Sequence, residues 1–540
     1  MKMNEATLPS SWEITALENV CEPVAGNPAP QGHQFFENGK FNFVRVQDMG
    51  RMKDNTYLFK TKGKVNEQAI FKLRLFPKGS VLFTKSGAST LNNQRAILGK
   101  DCYVVSHIAA VLPQAGISSE WIYFSLVCVD FADLAHSTVM PSLPLPKVKS
   151  IPVAIPPTNE QRRIVAKIEE LFSELDKSIE NLKTARAQLK VYRQALLKHA
   201  FEGKLTAQWR AERNVIPAKA GIQPFNDMDS RLRGNDEPLE TADAMLKRIQ
   251  QERAQRHQQQ LADWEAAGKQ GSKPKAPKPL PPLTAEELAE LPELPEGWGW
   301  VRPQDICSPK PYSIGIGPFG SNLKVSDYRK SGVPLIFVKN ITRSNFFLDL
   351  KYIDEIKYRE LVPHSVNALD LLITKMGDPP GDCEIYPARA PNAVLTADCL
   401  KFRLWEKFAN RTLYKFCINS NFVKRQLGLI TKGVAQKKIS VERFKTVCLP
   451  FFSVEEQQVL VQKIEAKLSE VDQLELTITA SLQQAEALRQ SILKKAFSGK
   501  LVPQDSHDEP ASALLARIKA ERAGSGKSAA SPRRIKKVSP

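Results

Sequence analysis

Two stretches of the chain repeat apolar residues every three or four positions, the first over 160–201 and the second over 456–497. This spacing predicts long α-helices that carry one apolar stripe each, as in a coiled coil. A helix of 42 residues would extend about 63 Å. Neither stripe can stay exposed to water, so we expect both helices to pack against a partner helix. The residues predicted to pack are Ile164, Ile168, Leu175, Leu182, Leu460, Ile464, Val471 and Ile478.

Both predicted helices end in nearly the same seven residues. "HAFEGKL" stands at 199–205 and "KAFSGKL" at 495–501, and the glycine in each is suited to the position just after a helix C-terminus. Further matches pair 8–21 with 294–307, 82–87 with 372–377, 160–176 with 456–472, and 244–253 with 513–522. Four collinear matches indicate an internal repeat with a period of about 290 residues.

The segments that precede the helices have a different pattern. Short β-rich runs, such as 41–46, 79–84, 333–338 and 369–374, are broken by Gly, Asn and Pro. We therefore predict two α/β (α+β) globular domains, separated by the long helices and related by the pseudo-twofold repeat. The predicted segments are a first globular domain at 1–152, a first spacer helix at 153–211, an insert-like linker at 212–240, a helix and Lys/Pro-rich linker at 241–293, a second globular domain at 294–446, a second spacer helix at 447–503 and a tail at 504–540.

One segment of the linker has no counterpart in the second half. Residues 215–236 resemble a translated interspersed genomic repeat. We predict that they are a tolerated insertion in an exposed connection.

The charge of the chain points to its partner. A net charge of +19 and a pI of about 9.4 favour a polyanion, nucleic acid before a membrane surface, with an inert basic surface as the alternative. The eight cysteines form no CxxC pair, so neither a zinc site nor a disulfide framework is predicted. No apolar run reaches the ~18 residues of a membrane span, and we expect a cytoplasmic protein.

Three segments imitate catalytic or cofactor motifs. "DPPG" at 378–381 lacks the aromatic residue that amino-methyltransferases place after D-P-P, and Asp349, Glu355 and Lys357 imitate a nuclease set that the first half does not repeat. "GIGPFG" at 315–320 fits a dinucleotide fingerprint only in its glycines. No metal or catalytic constellation is therefore predicted.

Several long stretches together identify a family. They are 8–21, 294–307, "GPFGSNLKVSDY" at 317–328, 159–176, 454–472, 200–205 and 496–522. With the repeat order, they resemble the specificity subunits of type I restriction–modification systems over nearly the whole chain except 215–236.

The resemblance implies two target-recognition domains, each reading one half of a split, asymmetric site in double-stranded DNA. It also implies two antiparallel helices that set the distance between the domains and dock two methyltransferase subunits, which use S-adenosylmethionine to methylate adenine N6. Two endonuclease/translocase subunits would use ATP and Mg²⁺. The chain itself would bind no cofactor and catalyse nothing. The alternatives are a DNA methyltransferase or nuclease in its own right, and a coiled-coil interaction scaffold.

Polar loop residues are the candidates for DNA contact, because amide, hydroxyl and cationic side chains read base edges and phosphates. In the first domain the candidates are Gln47, Lys85, Ser86, Asn92, Asn93, Gln94 and Arg95. In the second domain they are Ser321, Asn322, Lys324, Tyr328, Lys339, Asn340 and Lys375.

Overall fold

Two compact units make up the described part of the chain. The computed structural model describes residues 8–52, 56–135, 141–219, 239–276, 282–377, 380–431 and 438–526. The first unit comprises Met1–Lys183 and Thr479–Pro540, and the second comprises Thr184–Ile478. The predicted insertion lies outside the described residues from 220 onward, whereas Ala207–Lys219 is helical.

Two long helices confirm the prediction from the apolar spacing. They span Thr158–Phe201 and Val454–Ala496. Each helix contributes residues to both units, so the units do not follow the linear segments predicted from the sequence. Each unit instead combines one globule with the beginning of one long helix and the end of the other.

The globule of the first unit contains three sheets. A five-stranded sheet has the order Cys21–Ala25, Ile108–Pro113, Val81–Thr84, Arg95–Leu98 and Tyr57–Leu58. A four-stranded sheet has the order Gly63–Val65, Phe41–Val44, Cys102–Val104 and Leu75–Phe76. A two-stranded sheet pairs Glu13–Ala16 with Pro152–Ile155.

The globule of the second unit repeats this plan with two four-stranded sheets. One has the order Ile314–Ile316, Cys399–Phe402, Leu371–Thr374 and Cys383–Ile385. The other has the order Lys351–Ile353, Val333–Ile336, Ala393–Leu395 and Ser365–Val366. The two-stranded sheet pairs Gly299–Val301 with Leu449–Phe451.

Further helices complete each unit. None of the described helices combines the length and apolar character that a membrane crossing requires. The α-helices of the first unit, besides its parts of the long helices, are Leu17–Val20, Val46–Met49, Glu67–Ile70, Ser119–Val127, Leu145–Lys149 and Ala511–Gly526. Those of the second unit are Ala207–Lys219, Ala242–Ala266, Ala285–Ala289, Pro303–Ile306, Val338–Thr342, Glu355–Glu360, Arg411–Asn419, Asn421–Leu429 and Val441–Phe444. Short 3-10 turns are His33–Phe35, Ala88–Thr90, Lys204–Thr206, Gly320–Asn322, Val325–Asp327 and Val362–His364.

The long helices run antiparallel within each unit, and ion pairs fix their register. In the first unit Asp176 pairs with Arg489. In the second unit Arg193 pairs with Asp472. Asp176 and Asp472 occupy equivalent positions of the sequence repeat, as do the two arginines, so one contact is made twice with the roles of the helices exchanged.

Most of the predicted stripe is buried in the structure. The buried members are Ile164, Ile168, Leu175, Leu460, Ile464, Val471 and Ile478, while Leu182 is half-buried.

A buried glutamate near the start of each long helix holds the tryptophan that begins the globule. In the first unit Trp12 Nε1 donates to Glu160 at 3.0 Å. In the second unit Trp298 Nε1 donates to Glu456 at 2.9 Å. Both carboxylates are almost fully buried, and burial raises the pKa of Glu160. The repeated tryptophan therefore binds the repeated glutamate in each unit.

The repeated heptapeptide is explained by a second contact with the start of the globule. Gly203 and Gly499 have left-handed backbones, with φ of +70° and +66°, where glycine is favoured over other residues. A β-carbon on Gly499 would lie 2.3 Å from the ring of Pro9, and one on Gly203 would lie 2.3 Å from the ring of Pro295. Each helix end thus needs glycine for its backbone conformation and for the proline packed against it.

The fourth sequence echo supplies an arginine that caps a short helix in each unit. Arg522 donates to the carbonyls of Glu18 and Cys21 at the end of Leu17–Val20. Arg253 donates to the carbonyls of Gln304, Asp305 and Cys307 at the end of Pro303–Ile306. Carbonyls at a helix C-terminus lack intrahelical partners, so they are free to accept these hydrogen bonds. Each arginine lies on the last helix of its repeat and thereby attaches that helix to a globule.

A buried lysine gives the second unit a predictable response to pH. Lys401 is 1% exposed, and its ammonium donates to the carbonyls of Pro363 and Ser365 at 3.0 and 2.6 Å. Burial, helped by Arg403, lowers the pKa of Lys401 from 10.5 to about 8. Between these values the unfolded chain binds the proton more tightly than the folded chain, so stability should increase as pH rises.

We expect the wild type to gain up to about 1.4 kcal/mol per pH unit over Lys401→Met across this window. Urea unfolding of both proteins at pH 8 and pH 10 measures the difference. An identical change in both proteins would contradict the assigned effect.

Candidate nucleic-acid interface

The first candidate surface is the loop that follows strand Val81–Thr84. The backbone N–H of Lys85 donates to His107 at 2.9 Å, and its carbonyl accepts from Leu143 at 2.8 Å. Ser86 forms an isolated bridge with Ser142. These bonds fix the base of the loop, while Asn92 at its far side is exposed. Lys85, Ser86 and Asn92 are therefore presented on a supported loop.

Arg95 and Asn93 have a structural role that the sequence analysis did not predict. Arg95 is 7% exposed, its guanidinium donates to the carbonyls of Asn93 and Val129, and it lies 4.1 Å from the ring centre of Phe131. The Asn93 side chain accepts from the N–H of Phe131 at 3.0 Å and donates to Asp130 at 3.0 Å. Because these groups bind the protein itself, the structure gives Arg95 and Asn93 a structural role, and base reading by them stays a prediction.

The neighbouring Gln94 is half-buried. Its side-chain carbonyl oxygen is buried without a hydrogen-bond partner, and its amide nitrogen approaches Gly50. It therefore faces the short helix Val46–Met49. Gln47, predicted to lie on a loop, lies on that same helix, and it is exposed.

Replacing Arg95 tests this structural assignment. Burial lowers the pKa of Arg95 to about 10, which leaves it charged at neutral pH. Arg95→Ala removes its hydrogen bonds and its packing on Phe131, so we expect the first unit to lose about 2–4 kcal/mol of stability. Exposed Asn92→Ala should change stability by less than about 0.5 kcal/mol. Equal urea midpoints for the two variants would contradict the structural role of Arg95 and show that its side chain behaves as a free surface residue.

The second candidate surface surrounds the 3-10 turns of the second globule. Ser321, Asn322 and Lys324 are exposed, and the N–H of Asn322 donates to the carbonyl of Phe319 at 3.0 Å. Tyr328 is half-buried, and its ring packs edge-on against Phe337 with centroids 6.3 Å apart. The first three side chains can reach a ligand, whereas Tyr328 also supports the globule.

Asn340 is, after Arg95, the second predicted reader that the structure places in the interior. It is fully buried, accepts from the N–H of Phe337 at 2.9 Å and donates to Leu348 at 2.8 Å. Asp48 accepts from the N–H of Arg45 in the same way at 2.9 Å in the first unit. This position therefore caps a short helix in both globules, which gives Asn340 a structural role, and base reading by Asn340 stays a prediction.

Two lysines of the second globule remain accessible. Lys339 lies on the helix Val338–Thr342, beside Asp349 at 3.3 Å. Lys375 donates to the carbonyl of Ala397 at 3.3 Å, and its ammonium lies 5.0 Å from the ring centre of Phe319. Burial lowers the pKa of Lys375, while nearby Asp398 opposes this shift and Lys438 adds to it.

Phe319 and Lys438 are not among the residues predicted from the sequence to contact DNA. Phe319 is 61% exposed, and Lys438 is exposed as well. The candidates for DNA contact were polar loop residues, and this criterion excludes an exposed aromatic ring such as that of Phe319. The signal for Phe319 was its place between two glycines, inside a stretch already quoted for its polar residues.

A cavity of the second unit has a composition that could be mistaken for a catalytic centre. Its volume is about 490 Å³, and Cys307 and His257 are among its lining residues. The Cys307 thiol donates to the carbonyl of Gln304, and burial raises its pKa, the opposite of what an activated nucleophile needs. The described residues also contain no group of three or more His, Cys, Asp or Glu side chains placed to hold a metal ion.

Comparisons with known proteins support one family. A family profile for the "Type I restriction modification DNA specificity domain" matches residues 9–189. The chain is 24% identical over 556 residues to the type I restriction enzyme EcoKI specificity subunit of Escherichia coli K12, covering 97% of this chain and 98% of that protein. It is 27% identical over 208 residues to the MjaIX specificity subunit of Methanocaldococcus jannaschii. That match covers 37% of this chain and about half, 46%, of the relative.

Solved structures share the fold. A chain from a study of complex assembly and conformational transition in the type I R-M system superposes with a TM-score of 0.59 at 17% identity. The match covers 92% of this chain and 99% of that one. The HsdS subunit of Thermoanaerobacter tengcongensis superposes with a TM-score of 0.50 at 16% identity, covering 92% and 98%.

Proposed function

Because the chain belongs to the specificity subunits of type I restriction–modification systems, we propose that each of its two globules reads one half of a split, asymmetric DNA site. The chain would act as the recognition subunit of a complex in which partner subunits perform the chemistry.

The observation that carries this proposal is one structural frame built twice with different loops. Each unit repeats the Trp–Glu bond, the Gly–Pro contact and the Asp–Arg ion pair between the long helices. The loops do not repeat. The loop after Gly26 continues with exposed Pro28, whereas the corresponding loop after Gly317 carries exposed Phe319, Ser321 and Asn322. A shared frame with different loops is suited to two half-sites of different sequence.

Charge supplies the affinity that the loops need. A net charge of +19 favours binding to phosphates through release of counterions, which depends on salt but not on sequence. Amide and hydroxyl side chains on the loops can then discriminate bases. We propose that the long helices set the spacing between half-sites, since reading heads on a fixed spacer meet the duplex at a fixed separation.

Exposed apolar side chains on the helices support a docking role. In the second unit Val191, Leu474 and Leu476 are 71%, 53% and 65% exposed. Apolar groups that stay exposed on otherwise packed helices are suited to a protein partner. We assign this surface to a methyltransferase subunit, two of which would methylate adenine N6 with S-adenosylmethionine. Two endonuclease/translocase subunits would carry ATP and Mg²⁺.

Mapping of methylated adenines across the genome tests the proposed function. The host is compared with a strain that lacks only this gene, while the partner genes stay intact. We expect one split motif to lose its methylation and to regain it when the gene is restored. Unchanged methylation at every motif would contradict the proposal.

A further inference from the structure

An aromatic ring stands exposed among the polar and basic residues of the second candidate surface. Phe319 is 61% exposed, although a phenyl ring gains free energy by leaving water. It follows buried Pro318 and precedes the turn Gly320–Asn322, in which Ser321 and Asn322 are also exposed. The ring therefore lies where the polar candidate readers lie.

The backbone holds this ring in a defined position. A β-carbon on Gly317 would lie 2.2 Å from the backbone of Thr396, so the chain approaches a central strand as closely as glycine permits. Gly320 has a left-handed backbone with φ of +44°, and the carbonyl of Phe319 accepts from Asn322 at 3.0 Å. A loop fixed on both sides of Phe319 loses little conformational entropy when the ring meets a ligand.

Lysines lie near the ring, together with Asp398, an acidic neighbour of Lys375. The Lys375 ammonium lies 5.0 Å from its centre and is anchored to the carbonyl of Ala397 at 3.3 Å. Lys438 is close enough to influence Lys375 electrostatically, and Lys324 is exposed on the same stretch of chain. A flat apolar face beside anchored cations matches a nucleotide, which offers a stacking face and a phosphate.

The first globule has the same close contact between a glycine and the backbone, but no aromatic ring at the corresponding position. A β-carbon on Gly26 would lie 2.2 Å from the carbonyl oxygen of Val105, which repeats the close approach of Gly317. Two residues later the first globule has Pro28, which is exposed, where the second has Phe319. The first globule, with Pro28 at this position, can therefore be compared with the second globule, which has Phe319.

We propose that Phe319 stacks on a base at an opened base step of the second half-site, so that this globule distorts the DNA that it reads while the first globule does not. The inference rests on the proposed function. Apolar side chains inserted between base pairs unstack them and kink the duplex, and a ring with lysines beside it can hold the displaced base and its phosphate.

Fluorescence of 2-aminopurine tests the inference in the assembled complex of this chain with its methyltransferase subunits. The DNA carries the split motif identified by methylation mapping, with the probe placed in turn along each half-site. We expect binding to raise the fluorescence at a position of the second half-site. Phe319→Ala should remove most of this rise and weaken binding by about 5- to 100-fold, whereas Phe319→Trp should retain both.

Phe347→Ala provides a matched control, because Phe347 is a phenylalanine of the same unit with a similar exposure of 67%. It should change affinity by less than about twofold, the level expected of a surface substitution. Unchanged fluorescence and affinity in Phe319→Ala would overturn the stacking role. Loss of methyltransferase binding in that variant would assign the ring to a protein interface and overturn it as well. A wild-type complex with no sequence preference would instead overturn the proposed function.

Discussion

Val471→Glu is expected to destabilise the second unit by about 3–5 kcal/mol, since it places a carboxylate in a buried position without a partner. Val471 is 2% exposed on the second long helix, and the adjacent Asp472 and nearby Glu475 already share Arg193. The new charge would meet repulsion as well as desolvation. We expect a lower urea midpoint by circular dichroism and loss of the methyltransferase subunits on co-purification.

Leu476→Glu is the matched control, five residues further along the same helix and 65% exposed. It should leave the urea midpoint within about 0.5 kcal/mol of the wild type. Any effect on methyltransferase binding would then report the proposed docking surface and not folding. Equal midpoints for the two variants would show that the helix seam has been assigned to the wrong face.

Glu456→Ala is expected to have the second-largest effect. Its carboxylate is 2% exposed and accepts from Trp298, Thr206 and Arg210. Its removal leaves the Arg210 guanidinium, only 15% exposed, without its charge partner. Truncating one member of a buried ion pair costs about 3–5 kcal/mol, so amide hydrogen exchange should accelerate around Trp298 and the start of the second long helix.

The repeat supplies the control for this variant. Glu160 accepts from Trp12 and Gln504, which are neutral, so Glu160→Ala leaves unpaired dipoles in place of an unpaired charge. We expect a smaller loss of about 1–3 kcal/mol in the first unit. Equal effects at the two positions would mean that the Arg210 ion pair contributes nothing beyond its hydrogen bonds.

The helices and the repeat could be predicted from sequence because their signals are local and periodic. Apolar residues such as Ile164 and Leu460 recur at helical spacing, and both helices end at the same heptapeptide. What the glycine in that heptapeptide touches could not be predicted. Pro9 lies almost 500 residues from Gly499 along the chain, and only the tertiary fold brings them together.

The candidate interface was predicted less well, because burial is a tertiary property. Arg95 and Asn340 look like loop polar residues in sequence, yet one is buried against Phe131 and the other against the backbone of Asn345 and Leu348. A clue existed for Asn340: Asp48 aligns with it, and both stand four residues after a strand end, where an Asn or Asp side chain can cap a helix. Ser321, Asn322 and Lys324 stay candidate readers, as do Lys339 and Lys375.

The central claim, that each globule reads its own half-site, is tested most directly by a chain with the same globule in both positions. Residues 294–446 would replace residues 8–152, and methylated adenines would be mapped in a host that carries the partner genes. The account predicts a new split motif in which both halves carry the sequence read by the second globule. Retention of the original asymmetric motif would contradict it.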